Sequence, residues 1–114
     1  MSEKPYDLEK RTYNFASEVR QLIRGLKYNL QNVEDGKQVI RSSGSVGANY
    51  IESNEHLSDK DFQHRIKICR KEAKESSYWL RLLSENNTEN ADLYTQLIDE
   101  ANQLKLIFNS MIKK

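Results

Sequence analysis

The residue pairs in this chain with metal-ligand spacing are Asp61-x-x-His64 and Glu52-x-x-x-His56, each occurring once. A separation of three or four places both side chains on one face of a helix. A carboxylate-bridged metal pair in a helical bundle, however, needs a Glu on two helices and a Glu-x-x-His on two others. The two histidines of the chain cannot complete that set, and both read as surface residues. Cys69 is the single cysteine, which excludes an intramolecular disulfide and fits a reducing cytoplasm. It lies on an apolar helical seam, where a thiol is buried and inert. No Ser/His/Asp or Cys/His arrangement has supporting context. The glycines follow no strand and form neither GxGxxG nor GxxxxGK, so a phosphate loop is excluded. The expectation is a chain without enzymatic chemistry, metal or cofactor.

The chemistry that remains is electrostatic. Lys60, His64, Lys67, Lys71, Lys74, Tyr78 and Arg81 recur at spacings of four and three, as do Lys10, Tyr13, Ser17, Arg20, Arg24 and Lys27. Neither row contains an acid. Acid falls on other faces, as at Glu72 and Glu75, and on a later segment where Asp99 and Glu100 face only Lys105 before the terminal lysines. Two readings fit these rows. Lys and Arg flanking a helical seam can cover the core edge with their stems while their charges stay solvated. Equally, cations with an interleaved Tyr can track a phosphate backbone, with the ring as a stacking platform. Asn86, Asn87 and Asn90 lie elsewhere, so base-edge readout has little to work with.

Four amphipathic helices must position these rows. The first is expected from about Asp7 to Leu30, with Leu8, Thr12, Phe15, Val19, Leu22 and Leu26 on its seam. Asn32–Gly36 reads as a turn with Asp-Gly supplying a positive φ. The second helix then covers roughly Lys37 to Glu55. It is rich in small residues, and Ser43, Gly44, Gly47 and Ala48 mark the place where a neighbouring backbone comes close, since each interior Gly costs a helix up to about 1 kcal/mol relative to Ala. Ser58-x-x-Asp61 resembles a capping box opening a third helix over about 59–85, with its seam at Phe62, Ile66, Cys69, Ala73, Ser76, Leu80 and Leu83. The fourth, over about 91–112, has Tyr94, Leu97, Ala101, Leu104, Phe108 and Met111. Ile68 and Trp79 lie on the other flank of the third seam, where they either widen the core or anchor a subunit contact. Short connections between long helices predict an all-α, antiparallel up-down-up-down four-helix bundle.

The totals agree. A chain of 114 residues with 37% hydrophobic and 31% charged residues, one Pro and four Gly suits one domain, 1–114, of amphipathic helices. The opening MSEKPYDLEK has no apolar leader and no apolar run approaches membrane-spanning length, so a cytoplasmic location without membrane association is expected.

RSSGSVGANYIES, followed after a short gap by KEAKESSYWLRLL, resembles the bacterial four-helix-bundle family of 23S rRNA intervening-sequence proteins, over about Tyr6 to Phe108. The chain differs from the family pattern in its net charge of +1 and in carrying Tyr50 and Ser53, where smaller residues are common. The resemblance implies a small cytoplasmic bundle that assembles as a ring, commonly a homopentamer. It further implies either RNA or DNA as a ligand of a basic ring, or a protein partner such as a reverse transcriptase, since some relatives accompany diversity-generating retroelements. Glu52 ends the small-residue helix where the family usually has Glu; it pairs with a neighbour's cation, caps a subunit contact, or is simply solvated. The functional expectation is a nucleic-acid-binding accessory protein with candidates Lys10, Tyr13, Arg20, Arg24, Lys27, Lys60, Lys67, Lys71, Lys74, Tyr78 and Arg81. The alternative is a protein-interaction scaffold that binds no nucleic acid.

Overall fold

A computed structural model describes residues 7–114; the leading MSEKPY, part of the segment read as lacking an apolar leader, lies outside them. The described residues form four helices, α1 (Asp7–Arg24), α2 (Leu30–Asn54), α3 (Asp59–Asn86) and α4 (Ala91–Ser110). Successive helices run antiparallel, as the contacts at their ends record. The start of α1 meets the end of α2 around Glu9 and Ile51. The start of α2 meets the end of α3 through a reciprocal amide pair, Asn32 Nδ2 to Asn87 Oδ1 at 3.1 Å and Asn87 Nδ2 to Asn32 Oδ1 at 2.8 Å. Gln63 near the start of α3 donates to the Met111 carbonyl just past α4 at 3.2 Å. Each helix packs on its neighbours in the order α1–α2–α3–α4; the return contact between α4 and α1 is the thinnest, and the backbones of α1 and α3 do not approach each other closely. The two therefore occupy diagonal corners of a bundle 44 × 32 × 22 Å in extent.

The seams read from the periodicity form the core. Phe15, Val19, Val46, Ile66, Cys69, Ala73, Leu80, Leu83, Leu97, Ala101, Leu104 and Phe108 are all buried. Phe62, Leu26 and Met111, at the ends of their seams, are partly buried against it. Between α2 and α3 the core is built from small residues. Ser42 Oγ and Ser76 Oγ are 2.8 Å apart, Ser76 also donates to the Glu72 carbonyl at 2.9 Å, and Cys69 Sγ donates to the Val46 carbonyl at 3.4 Å. These bonds satisfy hydroxyls that would otherwise be costly to bury.

The α1–α2 boundary differs from the sequence expectation. Helix α1 stops at Arg24, before Leu30, and α2 begins at Leu30, not Lys37. Asn29 is the reason: its side chain accepts from the Asn32 amide at 2.9 Å and caps α2. Gly25 sits just past α1, where helices commonly end. Asp35-Gly36 is consequently not a turn. Gly36 is buried within α2, none of the described glycines has a positive φ, and a β-carbon there would lie 3.3 Å from Ile23 Cγ2. At α3 the expected cap is present, with Ser58 Oγ accepting from the Asp61 amide at 3.1 Å. The Asp61 carboxylate accepts in return from Leu57 N at 3.2 Å, one residue earlier than in the standard box.

The α2 glycines face α1. A β-carbon on Gly47 would lie 3.1 Å from Thr12 Oγ1 and 3.3 Å from Thr12 Cβ, so here the two helices do approach closely. At Gly44 the near neighbour is instead the tip of Arg20, with Nη2 at 3.0 Å. Ser43 is buried and donates to the Ile40 carbonyl. Ala48 is exposed and, contrary to expectation, stands on the outer lip of the contact rather than inside it. Gly47→Leu is therefore expected to overpack α1 against α2 and cost about 1–3 kcal/mol, lowering the melting temperature by at least about 4 °C. Gly44→Ala should hold or raise it, because only a flexible guanidinium has to move while helix propensity improves. Thermal unfolding followed by circular dichroism checks both; equal losses would contradict the distinction.

Candidate nucleic-acid interface

Helix α3 supplies the site. Its 28 residues run about 42 Å at 1.5 Å per residue, nearly the long dimension of the molecule. One side of α3 packs on α2 through Cys69 and Ser76, and another on α4 through Gln63 and Arg70. The remaining side carries Lys60, His64, Lys67, Lys71, Lys74, Tyr78 and Arg81, every one exposed. Among the described residues none of the five cations in this row has an ion-pair partner. From Lys60 to Arg81 the row extends about 32 Å, and the exposed Glu85 one turn further on marks its end.

The acids that might have neutralised the row are engaged elsewhere. Glu72 is only 7% exposed and accepts from Arg41 of α2 at 3.0 and 3.4 Å; Glu75 accepts from the same guanidinium at 3.3 Å. The hydrogen bond to Glu72 is the main reason the Arg41 pKa is raised. Asp59 pairs with Lys113 at 2.9 Å, and Asp61 caps the helix. On α4, Glu100 is not left facing Lys105 alone. It receives both Arg11 Nε and Nη2, at 2.7 and 2.8 Å, in a two-pronged contact across the thin α1–α4 seam. Periodicity alone missed both guanidinium clamps, since it ranks faces within a helix and says nothing of which charges meet between helices.

The α1 row is not a continuation of the α3 row. Lys10 and Arg24 are exposed on α1, but they project from the diagonal corner, so one molecule cannot lay both rows on one straight ligand. Lys27, also exposed, lies past the end of α1 in the connection to α2 and, contrary to expectation, is not on that helix. Arg20 is partly committed to the fold, donating to the Ala16 carbonyl at 3.1 Å and across to the Ile40 carbonyl of α2 at 3.3 Å. Tyr13, 72% exposed, lines a groove of about 420 Å³ between α1 and α2 with Ala16, Gly47, Ala48 and Ile51. Trp79 is half-buried against the core, whereas Ile68 is half-buried outside the core cluster. Glu52 is exposed, with no ion pair among the described residues.

Neither histidine pair makes a metal site. Asp61 is occupied as a cap, His64 belongs to the exposed row, and His56 Nδ1 lies 2.8 Å from the Ser53 carbonyl with its ring edge-on to Phe62. Among the described residues no three His, Cys, Asp or Glu side chains are grouped to hold a metal ion, and no helix is long and apolar enough to cross a membrane.

A helical bundle with a cationic edge on α3 that is not neutralised by any of the described residues is the class that these features define. The chain belongs to the 23S rRNA-intervening sequence protein family, whose model matches residues 4–110. It is similar to a crystal structure, at 1.70 Å resolution, of a protein of unknown function from the S23 ribosomal protein family of Bacteroides thetaiotaomicron VPI-5482. The TM-score is 0.81 at 27% identity, covering 93% of this chain and 98% of that one. Comparison with curated proteins gives no match.

Cys69 is fully buried, and desolvation pushes its thiol up from an ordinary value of 9.0 to about 12, which removes it as a nucleophile. Below pH 9 folded and unfolded chains both keep the proton. Above that the unfolded chain loses it first, so the thiol erodes stability as pH climbs from about 9 toward about 12. The Tyr94 phenol, buried with no hydrogen-bond partner among the described residues and also pushed up by burial, acts in the same sense. Cys69→Ala should accordingly make the alkaline decline in melting temperature shallower without abolishing it. Native protein should leave the thiol unreacted with a chromogenic disulfide reagent at neutral pH; rapid labelling of folded protein would contradict this account.

Proposed function

We propose that this protein is a non-enzymatic accessory protein that binds nucleic acid through the outward edge of α3. What supports the reading is the row Lys60, Lys67, Lys71, Lys74 and Arg81, exposed and without an ion pair among the described residues while the nearby acids are held by Arg41 and Lys113. Such a row neutralises phosphates and releases their counterions, a term indifferent to base sequence. The family resemblance adds a homo-oligomeric ring, with five subunits favoured. The apolar lip of Tyr13, Ala48 and Ile51 on the α1–α2 groove is a surface that assembly would cover. A ring repeats one modest row several times and turns weak single contacts into avidity.

Lys67→Glu/Lys71→Glu/Lys74→Glu should stay folded, since all three side chains are exposed, and should lose binding to duplex and single strand alike. The wild-type protein should lose affinity with salt at about 0.9 log unit per log unit of salt for each phosphate neutralised on duplex DNA, and about 0.7 on a single strand. Fluorescence anisotropy across a salt series checks both. Full binding by the folded triple mutant, or no wild-type binding at low salt, would make a protein-docking scaffold the better reading. For assembly, sedimentation equilibrium at micromolar concentration should give a multiple of 13.4 kDa; a monomer rejects the ring.

A further inference from the structure

Resting on the nucleic-acid reading above, we infer that the ligand of the α3 edge is single-stranded, with Tyr78 as the platform on which a base stacks. Tyr78 is 54% exposed, yet its ring is not loose: it meets the Trp79 ring at 5.1 Å and 76°, an edge-to-face contact. Trp79 is itself packed against the core. The tyrosine ring is thus oriented by the bundle while more than half of it remains in water, so little freedom is lost when a base lands on it. Lys74 and Lys71 stand one and two turns before it, and Arg81 one turn after, all exposed. A phosphate backbone held by these cations passes the ring at the distance of a neighbouring side chain.

The shape of the edge favours the same class. The row is straight, about 32 Å long, and lies on a convex bundle corner. On rigid duplex DNA each strand crosses such a line about once per helical turn of roughly 34 Å, so most of the cations would find no phosphate. A flexible strand can follow the row from one cation to the next. The bases of a duplex are also stacked on one another and closed to a surface ring, whereas those of a single strand present their faces.

The test compares wild type, Tyr78→Ala and Tyr78→Phe in anisotropy titrations. The probes are a labelled DNA strand of about 16 nucleotides, the RNA of the same sequence, and the corresponding DNA duplex. Wild type should prefer a single strand to the duplex, and the RNA and DNA arms identify which strand chemistry is taken. Tyr78→Ala should weaken single-strand binding about five- to a hundred-fold and leave duplex binding almost unchanged, while Tyr78→Phe keeps near wild-type affinity. Emission from Trp79, the only tryptophan, should change on binding a single strand. Tyr78→Ala binding the strands as tightly as wild type, or wild type preferring the duplex, overturns the inference while leaving the cationic row standing if the triple Glu variant still loses binding. Failure of wild type to bind any of the three probes overturns both readings.

Discussion

The constraint on which the molecule turns is that α2 must lie close to two helices at once. Its neighbours α1 and α3 are diagonal to each other, so α2 bears small residues on two separate flanks. Towards α1 these are Gly36 and Gly47, whose missing β-carbons leave room for Ile23 and Thr12. Towards α3 the small residue is Ser42, hydrogen-bonded to Ser76, with the Val46 carbonyl accepting from Cys69 one turn further on. Glycine in a helix interior lowers helical propensity by up to about 1 kcal/mol. The dispersion and burial gained over two tight seams offset that loss, because packed contacts are individually small but numerous. The remaining geometry follows: α3 is held along one side by α2 and along a second by α4, and its outward side is left to solvent.

The same geometry accounts for an uneven surface on a chain of net charge +1. Guanidinium groups are spent between helices, Arg41 on Glu72 and Glu75, Arg11 on Glu100. Planar forks suit these partly buried carboxylates better than ammonium groups do. The α3 row, built largely of lysine, has no such partner among the described residues. Near-neutral totals thus coexist with a local excess of positive charge, because Glu72, Glu75 and Glu100 are held by guanidinium groups between helices while other acids, such as Glu18, Glu52 and Asp99, are exposed on faces away from the α3 row. The exposed ion pairs contribute little to stability; their consequence is where they leave the unpaired charge.

Much of this was legible in the sequence. The α4 seam reproduces the buried face and the α3 seam most of it, with Phe62 and Met111 only partly buried at their ends, because apolar spacing reports the face that leaves water. Glu72 and Ser77, polar and off the α3 seam, are buried as well and were not legible that way. The Ser58 cap was legible for the same local reason. The α1–α2 junction was not, because Asp35-Gly36 is a turn signal only where the backbone needs a positive φ. Here Gly36 answers a packing demand from Ile23, thirteen residues earlier and on another helix. Arg20 escaped for a related reason: its place in a row of cations is local, whereas its contact with the Ile40 carbonyl is tertiary. Ala48 shows the converse error, a small residue that looked like a packing site and lies on the open lip. The α3 row was read from spacing alone. That it is unneutralised depended on where Arg41 and Lys113 lie in space.

The division of α3 into three sides also limits what a single copy can do. Its cationic edge and that of α1 point away from each other, so their effects on one extended ligand do not add within a monomer. Local field strength then rests on five cations over about 32 Å, a density comparable to many solvated helix faces. Two features distinguish this edge from such a face: the absence of interleaved acid, and an aromatic ring oriented by contact with a core-packed tryptophan. The first governs attraction at the range of the Debye length, about 8 Å at physiological salt. The second acts only at contact and only on an unstacked base. Long-range attraction without selectivity and short-range selectivity without reach are complementary, and on this helix they lie one turn apart.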